Sequence, residues 1–373
     1  MVTSPKIETD ERLLVKRSLD LAANGVGLVS PNPLVGCVIV SFDGEIVGNG
    51  TYVYDEVTHA EVIALEEAGE RAKGGTAYVS LEPHAHHGKT PPCTDALINA
   101  GIKRVVAPIE DPNPLVSGKG FAKLRESGIE VVTGILADEA TKLNEKFICW
   151  HKKKRPFVHL KLAMSLDGRV SLNHSVSTAL SGKAALERVH ELRHEYDAIL
   201  IGANTAIVDN PNLTDRSGKP RRRPLARIVL DNSLRLSTDS KLATTTDEAS
   251  TLLFTSNIDP VDTAPLTDRG VDVVPVERGP RNLEGVLNEL YRREIQSVLV
   301  EGGTEVAGAF IDARLVDKIT FMIAPIIIGG HDAPLAIGGN GANDLADAVK
   351  LQDISVTHHD SDIEITGYPQ TDA

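Results

Sequence analysis

Two α/β domains in tandem are predicted, and three observations carry the prediction. Short apolar, β-branched runs alternate with amphipathic stretches along the whole chain, the rhythm of strands and helices layered on a sheet. The 373 residues are too many for one ordinary core and suit two domains of roughly 150–200 residues. A basic run ending in proline, Lys152-Lys153-Lys154-Arg155-Pro156, interrupts the rhythm. Such a run resists burial and proline stops a helix, so the domains are placed at 1–150 and 151–373. The same run is equally compatible with a helix end carrying cations, which leaves the boundary where it is.

In the first domain Asp10 to Asn24 reads as a helix closed by Gly25, and Leu34 to Val40 as a buried strand. Asp43-Gly44 supplies a hairpin turn into a second strand at Glu45 to Asn49. Thr58 is a good N-cap for a helix running to about Ala72. Strands at Thr76–Leu81, Arg104–Ala107 and Glu130–Thr133 then alternate with helices at Cys93–Ala100 and about Gly120–Ser127. The order implies a mixed sheet with helices on both faces.

In the second domain the strands are expected at Phe157–Ala163, Ala198–Ile201, Arg227–Asp231, Thr251–Thr255, Val271–Val274, Ser297–Val300 and Lys318–Ile328. The clearest helix is Lys183 to Tyr196, with Leu186, Val189, Leu192 and Tyr196 as one apolar stripe. Ile354 to Ile365 alternates around Asp360-Ser361-Asp362, a closing antiparallel hairpin.

Composition narrows the function classes. No apolar run reaches the ~18 residues of a membrane span, and the polar N-terminus does not look like a secretory signal. Cys37, Cys93 and Cys149 cannot all pair, which fits a reducing cytoplasm. A net charge of −13 disfavours wrapping nucleic acid. The expected partner is a small molecule, and the chain is expected to form a homo-oligomer.

The sharpest chemical feature is His59-Ala60-Glu61 at a helix start, followed by Glu82-Pro83-His84 and Pro92-Cys93. Catalytic zinc takes three protein ligands, His and Cys among them, and keeps a fourth position for water. In zinc deaminases the Glu of H-x-E carries protons and does not bind the metal. Here His59 is the first ligand and Glu61 the catalytic carboxylate. His84 and Cys93 follow at the ends of adjacent strand-to-helix loops, and a helix N-terminus favours a thiolate at Cys93. Cys37 sits in an apolar strand and reads as core.

These residues carry a resemblance. Pro31-Asn32-Pro33-Leu34-Val35-Gly36-Cys37, His59-Ala60-Glu61, Glu82-Pro83-x-x-His86-x-Gly88-x-Thr90-Pro91-Pro92-Cys93 and Asp111-Pro112-Asn113-Pro114 resemble the bifunctional deaminase/reductase family of riboflavin biosynthesis, in order and spacing. The resemblance implies a cytidine-deaminase-like α/β/α sandwich for the first domain. It also implies substrate contacts from Asn32, Lys89, Asp111 and Asn113, although Pro-Asn-Pro and Asp-Pro-Asn-Pro form turns on composition alone. One position departs: the family usually has Cys after Glu-Pro, and this chain has His84. A His₂Cys set still suits zinc. His86 and His87 are alternative third donors, and a metal-free scaffold is the competing reading.

In the second domain Val300-Glu301-Gly302-Gly303 runs from a strand into an amphipathic helix, where glycines let backbone approach a phosphate. It matches neither G-x-G-x-x-G nor a Walker loop. Lys161 to Arg169, Gly202 to Thr205 and Asp209 to Thr214 add to the resemblance, which implies a dihydrofolate-reductase-like α/β domain using NADPH. Carried over by position, Ala163, Thr205, Asp209, Gly303, Thr304, Glu305, Val306, Ala307, Gly308 and Ala309 line the cofactor. Ser177, Arg193, Leu213, Arg216 and Glu301 contact the substrate, with both arginines suited to a phosphate. Asp209 is the nearest candidate acid. The basic loop Lys219 to Arg223 reads as a surface loop. Two reactions are expected in sequence: hydrolytic deamination of a phosphoribosylamino-pyrimidinone, then reduction of its ribosyl group to ribityl.

Overall fold

The computed structural model describes residues 5–86, 91–114 and 116–370, and the chain divides into two compact units, Met1–Lys154 and Arg155–Ala373. In the first unit β1 (Gly36–Val40), β2 (Ile46–Thr51), β3 (Thr76–Val79), β4 (Arg104–Val106) and β5 (Glu130–Val132) form a sheet in the order β2-β1-β3-β4-β5. β1 runs antiparallel to β2 and β3, and β3, β4 and β5 are parallel.

Alternation along β1 explains why it reads as one unbroken apolar run. Cys37 and Ile39 face a core with Ala60, Ala64, Leu97 and Leu124, while Val38 and Val40 face another with Val15, Leu19 and Ala140. A strand covered on both faces has no solvent side on which to place polar residues. Two glycines on β2 seat the helix Ala60–Ala68 very close to the sheet. A Cβ at Gly48 or Gly50 would lie 2.0 Å from the carbonyl oxygens of Ala64 or Ala60 respectively. That close approach fixes where the helix begins, and hence where His59 stands.

The second unit carries β6 (Phe157–Ser165), β7 (Ala198–Gly202), β8 (Ala226–Leu230), β9 (Thr251–Thr255), β10 (Asp272–Pro275), β11 (Ser297–Val300), β12 (Lys318–Ala324), β13 (Leu351–His359) and β14 (Asp362–Pro369). Their order is β10-β9-β8-β7-β11-β6-β12-β14-β13. The strands from β10 to β12 are parallel, and β14 and β13 close the sheet as an antiparallel hairpin. β11 returns late to lie between β6 and β7, so loops from distant parts of the sequence meet at the C-terminal ends of three neighbouring strands, where open α/β sheets bind ligands.

The two-domain α/β organisation is as expected, with local differences. Thr58 does not cap the first active-site helix: its hydroxyl donates to the Glu56 carbonyl at 3.3 Å, and His59 takes the N-cap position. That helix ends at Ala68, and Gly69–Ala72 is a 3₁₀ turn. Leu186 is exposed, and Ala185, Val189 and Leu192 anchor helix Lys183–Glu195 instead. The expected break at 150/151 falls inside helix Glu145–Lys153, whose last turn holds His151, Lys152 and Lys153. Cations at that end complement the helix dipole, and Lys154 leaves the helix at φ 54°.

Candidate active sites

Three metal donors converge in the first unit from three separate segments. The ligand atoms of His59, His84 and Cys93 all lie within 4.8 Å of one another. His59 stands at the N-cap of helix Ala60–Ala68 and Cys93 opens helix Cys93–Asn99. His84 lies between them in sequence, on the loop after β3, its ring stacked on His59 at 4.5 Å between centroids. Glu61 is buried beside them with Oε2 unpaired, while its carboxylate also accepts from the Cys93 thiol. Two imidazoles, one thiol and a buried carboxylate with one unpaired oxygen fit zinc with an open position for water.

The electrostatics at Cys93 differ from the sequence expectation. Burial pushes the thiol well above its ordinary value, the Glu61 carboxylate adds to that, and the backbone at the helix start opposes only weakly. Burial therefore outweighs the helix N-terminus, and a dication held there would favour the thiolate. Of the two alternative donors, His86 meets the His84 ring edge-on at 5.2 Å and lies outside the three-donor group. His87 and Lys89 lie outside the described residues.

Glu82 holds the surrounding loops together. Its buried carboxylate accepts four backbone N–H bonds: from Asp111 (3.0 Å) and Gly118 (2.9 Å) at Oε2, and from Gly120 (2.8 Å) and Phe121 (3.2 Å) at Oε1. Asp111, Gly118, Gly120 and Phe121 are thereby fastened directly to the segment that presents His84. Gly120 is required there, because a Cβ would fall 1.9 Å from the Pro83 carbonyl oxygen. Asp111 accepts from the Asn113 N–H at 2.7 Å, the expected turn chemistry. Burial, with Glu82 adding to it against that bond, raises Asp111 to about 6. Asn32 donates to the Tyr52 hydroxyl at 2.6 Å, and the Tyr52 ring lies 5.4 Å from that of His59.

In the second unit the residues expected to line the cofactor come from β6, β7 and β11. Ala163 is partly exposed towards the C-terminal end of β6, and Thr205 lies on helix Ala203–Asp209 directly after β7. Gly303 caps helix Thr304–Asp312 after β11, and a Cβ there would meet the Thr205 hydroxyl at 3.2 Å. The helix N-terminus and the Thr205 hydroxyl are thus side by side, a suitable place for phosphate. Glu305 is exposed and Val306 and Ala309 partly so, but Ala307 belongs to the core and Gly308 packs against Gly338. Those two seat the helix. Asp209 is exposed at the last position of its helix.

The residues expected to contact the substrate centre on an ion pair. Arg193 donates to Glu301 through Nε at 2.9 Å and Nη2 at 3.0 Å, and Lys161 Nζ lies 3.8 Å from the same carboxylate. Burial alone would raise the Glu301 pKa, but Arg193 and then Lys161 hold it down at about 2. Arg193 Nη1 also reaches the Thr214 carbonyl at 3.4 Å, and the exposed Arg216 touches the Thr214 hydroxyl at 3.4 Å. Leu213 is buried in the core with φ 51°, so its main chain rather than its side chain is available to a ligand. Ser177 is exposed, in an irregular segment.

Residues 156–365 match the RibD C-terminal domain, and residues 8–108 match the cytidine and deoxycytidylate deaminase zinc-binding region. The riboflavin biosynthesis protein RibD of Actinobacillus pleuropneumoniae is 40% identical over 340 residues, covering 91% of this chain and 90% of that protein. The chain belongs to the RibD family. Among solved structures, RibD of Acinetobacter baumannii superposes with a TM-score of 0.87 at 34% identity, covering 98% of this chain and all of that one. A diaminohydroxyphosphoribosylaminopyrimidine deaminase/5-amino-6-(5-phosphoribosylamino)uracil reductase from Thermotoga maritima gives 0.86 at 37% identity, covering 97% and 99%. This RibD chain is a bifunctional enzyme of riboflavin biosynthesis, with a zinc-binding deaminase half and a reductase half.

Four residues that hold these sites together carried no assigned role in the sequence. Glu82 and Lys161 lay inside recognised motifs, but nothing in spacing shows that one carboxylate collects four N–H groups or that a strand lysine meets Glu301. Tyr52 had no signal at all. Arg221 belonged to a loop read as surface, yet it donates to the carbonyls of Arg193, His194 and Tyr196 at 2.8–3.0 Å and so finishes the helix bearing Arg193.

Proposed function

We propose that this RibD chain deaminates 2,5-diamino-6-(5-phosphoribosylamino)pyrimidin-4-one at the His59–His84–Cys93 centre and reduces the ribosyl group of the product in the second unit. The convergence of those three donors beside the buried Glu61, whose Oε2 is unpaired, carries the reading. Zinc, held by His59, His84 and Cys93, lowers the pKa of water toward neutrality when bound. Glu61 takes a proton as water attacks the amine-bearing ring carbon, and returns it as ammonia leaves. Asn32, Asp111 and Asn113, with Lys89, bind the pyrimidine and ribose phosphate.

NADPH supplies the hydride in the second unit. Gly303 and helix Thr304–Asp312, with Ala163, Thr205 and Asp209, hold the cofactor. Glu301, kept ionised by Arg193 and Lys161, accepts hydrogen bonds from the substrate, Ser177 and the Leu213 main chain line the site, and Arg216 with Arg193 takes the phosphate. The substrate C1 imine gains hydride and one proton to become the ribitylamine. The protein works on a small molecule, without nucleic acid, as a cytoplasmic homo-oligomer. Exposed Ile354 and Val356 on edge strand β13 support self-association.

With the diamino substrate and NADPH, ammonia release should precede NADPH oxidation. Chelator-treated protein should still oxidise NADPH when given the deaminated product. NADPH oxidation from the diamino substrate without ammonia release would overturn the two-step order.

A further inference from the structure

His190 lies one helical turn before Arg193 on helix Lys183–Glu195, on the same face. Its ring is partly buried, and its charged neighbours are Arg193, Arg216, Glu301 and Asp215. Three of these four already have partners: Arg193 and Glu301 each other, and Asp215 the side chains of His194 and Arg221 at 2.9 and 3.2 Å. Among the described residues Arg216 has only the long hydrogen bond to Thr214. His190 Nδ1 is shut away from solvent with no hydrogen-bond partner.

A closed-off nitrogen without an acceptor is costly as a donor and cheaper as a lone pair, so the single proton of the neutral ring belongs on Nε2. Burial and the two arginines disfavour a second proton on this ring. Nε2–H is therefore a donor with no acceptor among the described residues, under the influence of the Arg193 and Arg216 charges. An anion is the ligand that such a trio accepts, and the reductase substrate carries one.

We propose that His190 is a further substrate-binding residue of the reductase, donating from Nε2 to a phosphoryl oxygen held between Arg193 and Arg216. This rests on the proposed phosphate contact of those arginines. Glutamine places its amide nitrogen near the imidazole Nε2 position, whereas asparagine reaches only the Nδ1 position, so the two substitutions separate the roles of the two nitrogens.

The test compares steady-state NADPH oxidation with 5-amino-6-(5-phosphoribosylamino)uracil and with its dephosphorylated counterpart. His190→Ala and His190→Asn should raise KM for the phosphorylated substrate about tenfold, leaving kcat within about threefold and the dephosphorylated substrate unaffected. His190→Gln should restore KM. An unchanged KM in His190→Ala, equal loss on both substrates, or rescue by Asn instead of Gln would overturn the inference. If wild type shows no preference for the phosphate, the arginine reading itself fails. A preference abolished by Arg216→Ala but kept in His190→Ala rejects His190 alone.

Discussion

The metal centre and the reductase cleft each hold a buried carboxylate at the working end of parallel strands, and they push it in opposite directions. In the first unit no cation among the described residues offsets Asp111, and burial with Glu82 raises it to about 6. In the second, Glu301 is largely removed from water but gripped by Arg193 and flanked by Lys161, and it stays ionised down to about 2. The first unit matches a zinc-binding region, so a dication from outside the chain adds positive charge there. The second carries its cations within the fold. One site is completed by a metal, and the other is complete in itself except for cofactor and substrate.

Breaking each site separately sharpens this contrast. The largest effect is expected for Glu61→Gln, which keeps the volume and removes the proton carrier. Ammonia release should fall by about 10²–10⁴-fold, with NADPH oxidation of the deaminated product unchanged, followed in parallel coupled assays. Next comes Arg193→Ala, which leaves the buried Glu301 without its two-point partner and with only the longer Lys161 contact. Urea unfolding should show a loss of about 3–5 kcal/mol, and Arg193→Lys should restore little because a single ammonium cannot match the two-point contact.

Glu82→Ala should weaken the first unit by about 2–3 kcal/mol through its orphaned backbone donors, read as a lowered Tm with the reductase spared. The smallest effect separates the two carboxylates by pH. Glu301 lies below its ordinary 4.5, so its contribution is full above that value and is lost as pH falls toward 2. Asp111 lies above its ordinary 3.8, so its contribution is present below that value and is lost as pH rises through about 6. Asp111→Asn should therefore flatten the stability profile between about pH 4 and 6 and leave the acid limb unchanged, measured by denaturant titration across pH.

The same contrast explains what could be read in the sequence. The metal site consists of side chains whose identity is their chemistry, so His59, Glu61, His84 and Cys93 were legible as letters, and the structure brings the four together. The reductase site is built largely from backbone: a helix N-terminus, a glycine against Thr205, and a left-handed Leu213. Sequence shows that glycines are present but not what they lie against, so the core position of Ala307 and the close approach of Gly308 to Gly338 could not be read from it. Strand positions were legible because β-branched runs have few alternatives, as at Thr251–Thr255 and Ser297–Val300. The insertion of β11 between β6 and β7, the four-fold grip of Glu82 and the helix closure by Arg221 depend on long-range pairing that no local pattern encodes.

The central claim is that His84, where the family usually has cysteine, completes a working zinc site. Zinc content of purified protein after exhaustive dialysis measures it directly, in wild type and in His84→Ala. One zinc per chain in the wild type and a marked loss in the variant are the expected results. Full occupancy in His84→Ala, or no zinc in the wild type after reconstitution, would contradict the claim.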